Sequence, residues 1–202
     1  ELSMISAIIL AAGESRRMKS PKPLMNWGDS NLINYQISIL DNTKVEEIII
    51  VLGSRANEIS DTIHETKFKV VENKDFKLGK TTSIIKGLNS ISNKNNDVLI
   101  LACDQPRTKD LVGKVIDFHL ELPHVKKITM PVYQKKSGHP IIFSNLFFKD
   151  LLLIKEDTQG IRQIIKENEG SIYKYKTSDE SATIDLNTPD QYKQSLNNWN
   201  NY

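Results

Sequence analysis

Cysteine occurs once, at Cys103, which excludes an intrachain disulfide and a zinc site built from several thiolates. No apolar run approaches the ~20 residues of a membrane helix, and no basic leader precedes the first apolar stretch as in a cleavable secretory signal. Charge of one sign is not in large excess. The net charge of +2 lacks the strong basic balance of a duplex-binding protein. Glycine is missing where known phosphate motifs need it. Gly13 to Ser20 has nearly Walker A spacing, but Met18 stands where the second glycine belongs. Gly79-Lys80-Thr81 is a second near miss, with Lys74 in place of the first glycine. A Walker loop needs both, because its backbone wraps the phosphates. The spaced glycines of the dinucleotide fingerprint are absent too. These absences lead us to expect a soluble cytoplasmic protein with neither a nucleic acid nor a membrane as partner.

What is present is an alternation of strands and helices. At 202 residues and 39% hydrophobic, the chain can bury one good core, and residues 1–202 are read as one domain. Apolar, β-rich runs recur at Ile5–Leu10, Glu47–Leu52, Phe68–Val71, Val98–Ala102, Ile128–Val132, His139–Phe143 and Ala182–Asp185. Helical spacing joins Leu32, Ile33, Ile37 and Leu40; Ile84, Ile85, Leu88 and Ile91; and Leu111, Val115, Ile116 and Leu120. Residues 151–168 add one or two more helices. Near-continuous apolar strands alternating with helices predict an α/β fold, a mostly parallel sheet covered on both faces. Active sites in such sheets lie beyond the carboxyl ends of the strands. Gly13, Asp104 and Asp185 would then share one rim if their strands are central. The asparagine-rich tail from Ser195 to Tyr202 is expected to fray. Glu1 is not an initiator, so residues 1–3 are read as processed or added.

The stretch from Ile8 to Gly28 organises the rest. A buried strand stops at Ala11-Ala12-Gly13, where a ligand can lie against bare backbone. Arg16, Arg17, Lys19 and Lys22 follow, and Pro21 and Pro23 stiffen the loop around Lys22. Backbone N–H groups and nearby cations suit a triphosphate, whereas isolated charges after a strand would be an ordinary solvated loop. Val98–Ala102 similarly delivers Asp104, either as a magnesium ligand beside phosphate oxygens or as a turn former before Gln105-Pro106. Read with Lys80, the same strand keeps a P-loop ATPase or kinase open. A carboxylate follows the last apolar run at Asp185, and Thr188-Pro189 also reads as a helix start. His139, beside a turn, reads as structural on its own. His64, His119 and His124 have no metal-ligand spacing.

In order along the chain, L-A-A-G-E-S-R-R-M with K-P-L and W-G, the D-x-P at Asp104, the G-H-P at Gly138 and the D-L-N-T-P-D from Asp185 resemble the MobA-like nucleotidyltransferases. Within them they are most similar to the molybdenum cofactor cytidylyltransferases. The stretch from Asn73 to Leu88 and the T-Q-G-I-R ending at Arg162 add weaker matches. Three positions depart from the pattern: Lys19 replaces a glycine, Asn26 a proline and Thr158 an aspartate.

The resemblance implies a Rossmann-like three-layer domain of the nucleotide-diphospho-sugar transferase type. It implies transfer of CMP from CTP, favoured over GTP, to a phosphate-terminated acceptor such as molybdopterin, with release of pyrophosphate. Leu10, Ala11, Ala12, Gly13, Ser15, Lys22, Asn73, Gly79, Ser83 and Asp104 would bind the nucleotide. Gln105, Pro106, Gly138, His139 and Pro140 would bind the acceptor. Asp104, Asp185 and Asn187 would hold Mg2+, while Lys22 and Arg17 would neutralise phosphate charge. Transient contact with a molybdoenzyme or its chaperone is a further implication. Guanylyl, sugar-phosphate and methylerythritol-phosphate transferases remain as alternatives, as does a non-catalytic nucleotide- or molybdopterin-binding module.

Overall fold

The computed structural model describes residues 4–18, 20–63 and 68–199. Its elements run β1 (Ile5–Ala11), the short hairpin β2 (Asn26–Trp27) and β3 (Ser30–Asn31), α1 (Leu32–Asp41), β4 (Val45–Leu52), α2 (Ala56–Ser60), β5 (Lys69–Glu72) and α3 (Lys80–Ser90). They continue with β6 (Asp97–Ala102), α4 (Lys109–Glu121), β7 (Ile128–Tyr133), β8 (Lys136–Ser137), β9 (Ile141–Phe143), α5 (Phe148–Leu152), α6 (Ile161–Glu167), β10 (Ile172–Lys176) and α7 (Pro189–Trp199).

The main sheet has the order β10-β7-β9-β6-β1-β4-β5, with β8 added to β7. β1 pairs in parallel with both β4 and β6, and β4 does so with β5. Among the described residues of this sheet, only β9, between β6 and β7, and the short β8 run antiparallel to their neighbours. Every residue of β1 is buried because helices cover both faces. Ile5, Ala7, Ile9 and Ala11 pack against Leu32, Ile33, Leu40, Leu111, Val112 and Val115 of α1 and α4. Ile8 and Leu10 pack instead against Ile84 and Leu88 of α3, together with Phe147, Leu151 and Ile164. A strand buried on both sides cannot alternate apolar with polar, which is why its sequence is continuously apolar. The result is a three-layer, mostly parallel α/β fold, as expected.

Two expectations need correction. Ala182–Asp185 is not a strand: Glu180–Thr183 form a single 3-10 turn, which starts where the Asp179 side chain accepts from the Ser181 N–H at 2.8 Å. Ala182 and Leu186 are apolar because the segment tucks them, fully buried, into the core. The described part of the tail, residues 195–199, is also helical rather than frayed. α7 continues to Trp199, whose ring lies 5.0 Å from Trp27 and 5.6 Å from Tyr35, and such aromatic contacts add to area burial. Residues 1–3, Lys19, His64 and 200–202 lie outside the described residues. β10 is an addition, an edge strand in which Lys174 and Lys176 alternate with half-buried tyrosines.

Far from the carboxyl rim, a buried polar network ties β6, α4 and β7 together. Asp97 accepts the Asn145 N–H at 2.7 Å and faces His119 Nε2 at 2.9 Å, while His119 Nδ1 lies 2.7 Å from the Thr129 hydroxyl. Burial acts to raise the Asp97 carboxyl, but hydrogen bonds from His119 and Asn145, with the nearby charges, bring it below its usual value. Burial lowers His119, so the imidazole is neutral and Nε2–H donates to the carboxylate. Lys127 Nζ donates to the carbonyls of His119, Leu122 and Pro123 at 2.9–3.0 Å. Removing the carboxylate leaves buried donors without their acceptor. Asp97→Ala is therefore expected to lose ~3 kcal/mol or more of unfolding free energy in urea titrations; a loss under ~1 kcal/mol would show that the network contributes little.

Candidate functional site

β1 and β6 end side by side, so the loops that follow them leave the sheet together. The Cys103 N–H donates to the Leu10 carbonyl at 2.9 Å. Buried Gln36 of α1 holds the second loop by donating to the carbonyls of Ala102 and Gln105 at 3.1 and 2.9 Å. The first loop is closed on itself, because Ser15 Oγ accepts from the Lys22 N–H at 3.0 Å and Ser15 has a positive φ of 52°. Met18 is buried and fastens the middle of the loop. Pro21 and Pro23 flank Lys22 as it enters a 3-10 turn.

This arrangement brings Lys22 across to Asp104. Nζ donates to Asp104 Oδ2 at 2.7 Å and to Asn187 Oδ1 at 3.2 Å. The lysine side chain is 13% exposed and the aspartate 28%, so the pair sits at the mouth of the sheet. The Leu186 N–H donates to the Asp104 carbonyl at 2.9 Å, which brings the loop of Asp185 and Asn187 alongside. Arg17 shares a small cavity of about 260 Å³ with Ser15, Lys22 and Asn187. Arg16 is held by Glu14 at 2.6 Å.

Two further cavities meet at Asp104. The smaller, about 250 Å³, is lined by Leu10, Ala11, Ala12, Gly13, Ser15, Lys22, Gly79, Ser83 and Asp104, all expected at the nucleotide, and also by Phe76 and Cys103. Asn73 stands behind this wall rather than in it. Its buried amide donates to Thr82 Oγ1 and Ser83 Oγ, both at 2.9 Å, so it orients the hydroxyl that does face the cavity. Burial and the Asp104 charge raise the Cys103 thiol well above its usual value, which keeps it protonated.

The larger cavity, about 1240 Å³, contains Asp104, Gln105, Gly138, His139, Asp185 and Asn187 in its lining. Pro106 and Pro140 do not line it; both are buried beneath its wall. They support the loops of Gln105 and His139 from below and present no surface to the cavity. Gly138 has a packing reason, since a Cβ there would lie 1.9 Å from the Ala182 carbonyl oxygen. Arg162 does line the cavity, with Lys80 and Lys174, despite the altered T-Q-G-I-R segment.

The near Walker segment at Gly79 has a different use. Gly79 has φ 123°, and the Glu156 carboxylate lies where its Cβ would be. Glu156 accepts from both the N–H and the hydroxyl of Thr81, at 3.0 and 2.7 Å. The start of α3 is thus capped by a protein carboxylate, and the Thr81 bonds hold that carboxyl below its usual range. The phosphate-wrapping backbone of a P-loop is not formed. Sequence reading missed Glu156, Gln36 and Arg107, because their partners are distant in the chain and no local motif marks them.

Among the described residues, no group of three or more His, Cys, Asp or Glu side chains gathers as a metal cage. The set at the rim is instead two carboxylates, Asp104 and Asp185, with the Asn187 amide oxygen. Such an oxygen set fits Mg2+, which takes one or two carboxylates and keeps its other positions for water and phosphate. The Lys22 ammonium already sits as a cation against two of these oxygens.

Burial, followed by the charges of Arg107, Lys80 and Arg162, pushes the half-buried His139 imidazole down to about 3. It is therefore neutral at physiological pH. An unfolded histidine ionises near ~6.5, so the unfolded chain takes up this proton first as the pH falls. The His139 contribution to stability is complete above that value and declines as pH drops toward 3. Imidazole NMR should show no His139 titration between pH about 8 and 5, and His139→Asn should flatten the acid-side loss of stability. A folded-state titration near 6.5 would contradict this placement.

The bifunctional protein GlmU of Clostridium kluyveri is 25% identical over 166 residues, which cover 81% of this chain and 34% of GlmU, so the chain spans about a third of that relative. Nicotine blue oxidoreductase of Paenarthrobacter nicotinovorans is 22% identical over 205 residues, covering 97% of this chain and 98% of the relative. The crystal structure of Rv0371c from Mycobacterium tuberculosis H37Rv shares the fold, with a TM-score of 0.84, 22% identity and coverage of 98% and 99%. Rv0371c has also been solved in complex with manganese. Residues 7–172 match the MobA-like NTP transferase domain, and the chain belongs to that family of nucleotidyltransferases.

Proposed function

We propose that the protein transfers CMP from CTP to a phosphate-terminated acceptor, of which molybdopterin-bound molybdenum is the leading candidate, and releases pyrophosphate. The observation that carries this reading is the Lys22–Asp104 pair at 2.7 Å, at the junction of the small and large cavities. The small cavity suits a nucleoside: its floor is the Leu10–Gly13 backbone and its wall carries Ser83 and Phe76. The large cavity combines the apolar Ile84, Met130 and Ile141 with the cations Lys80, Arg162 and Lys174 and the carboxylates Asp104, Glu156, Glu169 and Asp185. That mixture suits an acceptor with a flat, weakly polar body and an anionic end.

The chemistry asked of the protein is positioning and neutralisation of charge. The acceptor phosphate oxygen attacks the α-phosphorus, the bond to the bridging oxygen breaks, and pyrophosphate leaves in line. Lys22 exchanges Asp104 for the phosphates and, with Arg17, offsets the charge that develops on the leaving group. Asp104, Asp185 and Asn187 would hold Mg2+, which when bound supplies charge neutralisation at the phosphoryl oxygens. Ala12 beneath the base favours cytosine, since guanylyl relatives place glycine there. Contact with a molybdoenzyme or its chaperone would follow from delivery of a finished cofactor.

A second reading, an oxidoreductase activity, is favoured by the near full-length match to the protein named nicotine blue oxidoreductase. It has no need of the Lys22–Asp104 pair.

Pyrophosphate release, measured with Mg2+ and each of the four nucleoside triphosphates, with and without molybdenum cofactor, tests the proposal. CTP with the cofactor should be the productive combination. Lys22→Ala and Asp104→Ala should each lower turnover at least ~100-fold, as when a charge-stabilising group is lost. Near-normal rates in either variant, or no pyrophosphate release with any of the four nucleotides, would overturn it.

A further inference from the structure

Arg107 is 1% exposed, yet no carboxylate is hydrogen-bonded to it among the described residues. Its guanidinium is satisfied by backbone carbonyls: Nε donates to His139 O at 2.9 Å, and Nη1 donates to Pro106 O at 3.0 Å and to Ile184 O at 2.8 Å. Taking an arginine out of water is costly, and an apolar side chain of similar volume would often serve stability as well. The three carbonyls explain the choice of residue. Each belongs to a different segment of the site: the loop of Asp104 and Gln105, the loop of Gly138 and His139, and the loop of Asp185 and Asn187. The planar guanidinium fork fixes the angles between the carbonyls it addresses, whereas a lysine ammonium, though it has three donors, imposes no such plane.

Its charge has a second consequence. Burial lowers the guanidinium to about 9, with the carboxylates of Asp185, Asp104 and Asp179 acting in the opposite direction. It therefore remains a cation at neutral pH and sits near Asp104 and Asp185. The main chain of Arg107 is fastened as well, since its carbonyl accepts the Tyr35 hydroxyl at 2.6 Å. The next residue, Thr108, accepts the Leu111 N–H at 3.1 Å to start α4.

We propose that Arg107 is a positioning residue for the transfer reaction: through the carbonyls of Pro106, His139 and Ile184 it fixes the spacing of the three loops that bring the divalent ion and the acceptor together. The inference rests on the transferase reading above. It adds a residue that touches neither substrate but sets where Asp104, His139 and Asp185 stand.

A matched control exists in the same fold. Lys127 is also 1% exposed and also donates to three carbonyls, but it lies in the network around Asp97, away from the rim. The experiment compares wild type, R107M, R107K and K127M in the full chain. Mn2+ binding is titrated calorimetrically in the presence of the CTP analogue with a methylene between the α- and β-phosphates, and urea unfolding is measured in parallel. R107M should weaken Mn2+ binding ~10- to 100-fold, as when a group orienting metal ligands is removed. R107K should fall between R107M and wild type. K127M should bind within ~2-fold of wild type even if it unfolds as readily as R107M.

Wild-type Mn2+ affinity in both Arg107 variants would overturn the assignment, as would an equal loss in K127M, which would mark the effect as general destabilisation. If R107M does not fold, R107K decides on the same criteria. A wild-type protein that binds neither Mn2+ nor the analogue would instead overturn the transferase reading, and the role of Arg107 with it.

Discussion

The parallel pairing of β1 with β6 is the constraint from which the site follows. Leu10 lies opposite Ala102 in that register, so the chain leaves the two central strands at the same height. The Cys103 N–H then closes onto the Leu10 carbonyl. A side chain from the first loop can therefore meet one from the second without a long reach, and Lys22 meets Asp104. Burial on both faces enforces the register, since a slip of one residue would exchange the sets that face α1 and α4 on one side and α3 on the other. Core packing and site geometry are thus one problem with one solution.

On that base the remaining loops are attached by hydrogen bonds to main chain. Leu186 fastens to Asp104, His139 to Ala182, and Ser54 to Ala12, at 2.9, 3.1 and 3.1 Å. Gln36 and Arg107 each gather carbonyls from the loop after β6 and its surroundings. Backbone bonding of this kind orders irregular segments without helix or strand, so the polar side chains at the rim are not needed to hold the loops. Glu156 behaves differently, since it caps α3 from a distant loop and gives the large cavity a wall that local sequence does not announce.

Much of this was legible in the residues. The runs at Ile5–Leu10, Glu47–Leu52 and Val98–Ala102 are the central strands because full burial leaves an unmistakable apolar run. The helices around Leu32, Ile84 and Leu111 show the expected spacing. The small cavity beside Lys22 was legible for a related reason: small residues after a strand, a basic loop and paired prolines are local features. What was misread depends on contacts distant in sequence. Ala182 and Leu186 are apolar as a strand would be, but they are core plugs on a turn. β10 was missed because lysines interrupt it at the sheet edge. The asparagines near the chain end promised fraying, whereas Trp199 packs against Trp27 with its ring tilted. Arg107 and Glu156 carry no local signature, since three carbonyls or one helix start selected them only after the chain had folded.

The central claim is an exchange at the rim: the Lys22 ammonium leaves Asp104 for a triphosphate, and a divalent ion takes its place between Asp104 and Asp185. A crystal structure with Mn2+ and the non-hydrolysable CTP analogue, with the metal located by its anomalous signal, tests this most directly. The expected result is Mn2+ bound to both carboxylates, with Lys22 Nζ moved onto phosphate oxygens. A triphosphate bound elsewhere, with Lys22 still on Asp104 and no metal between the two aspartates, would contradict the account.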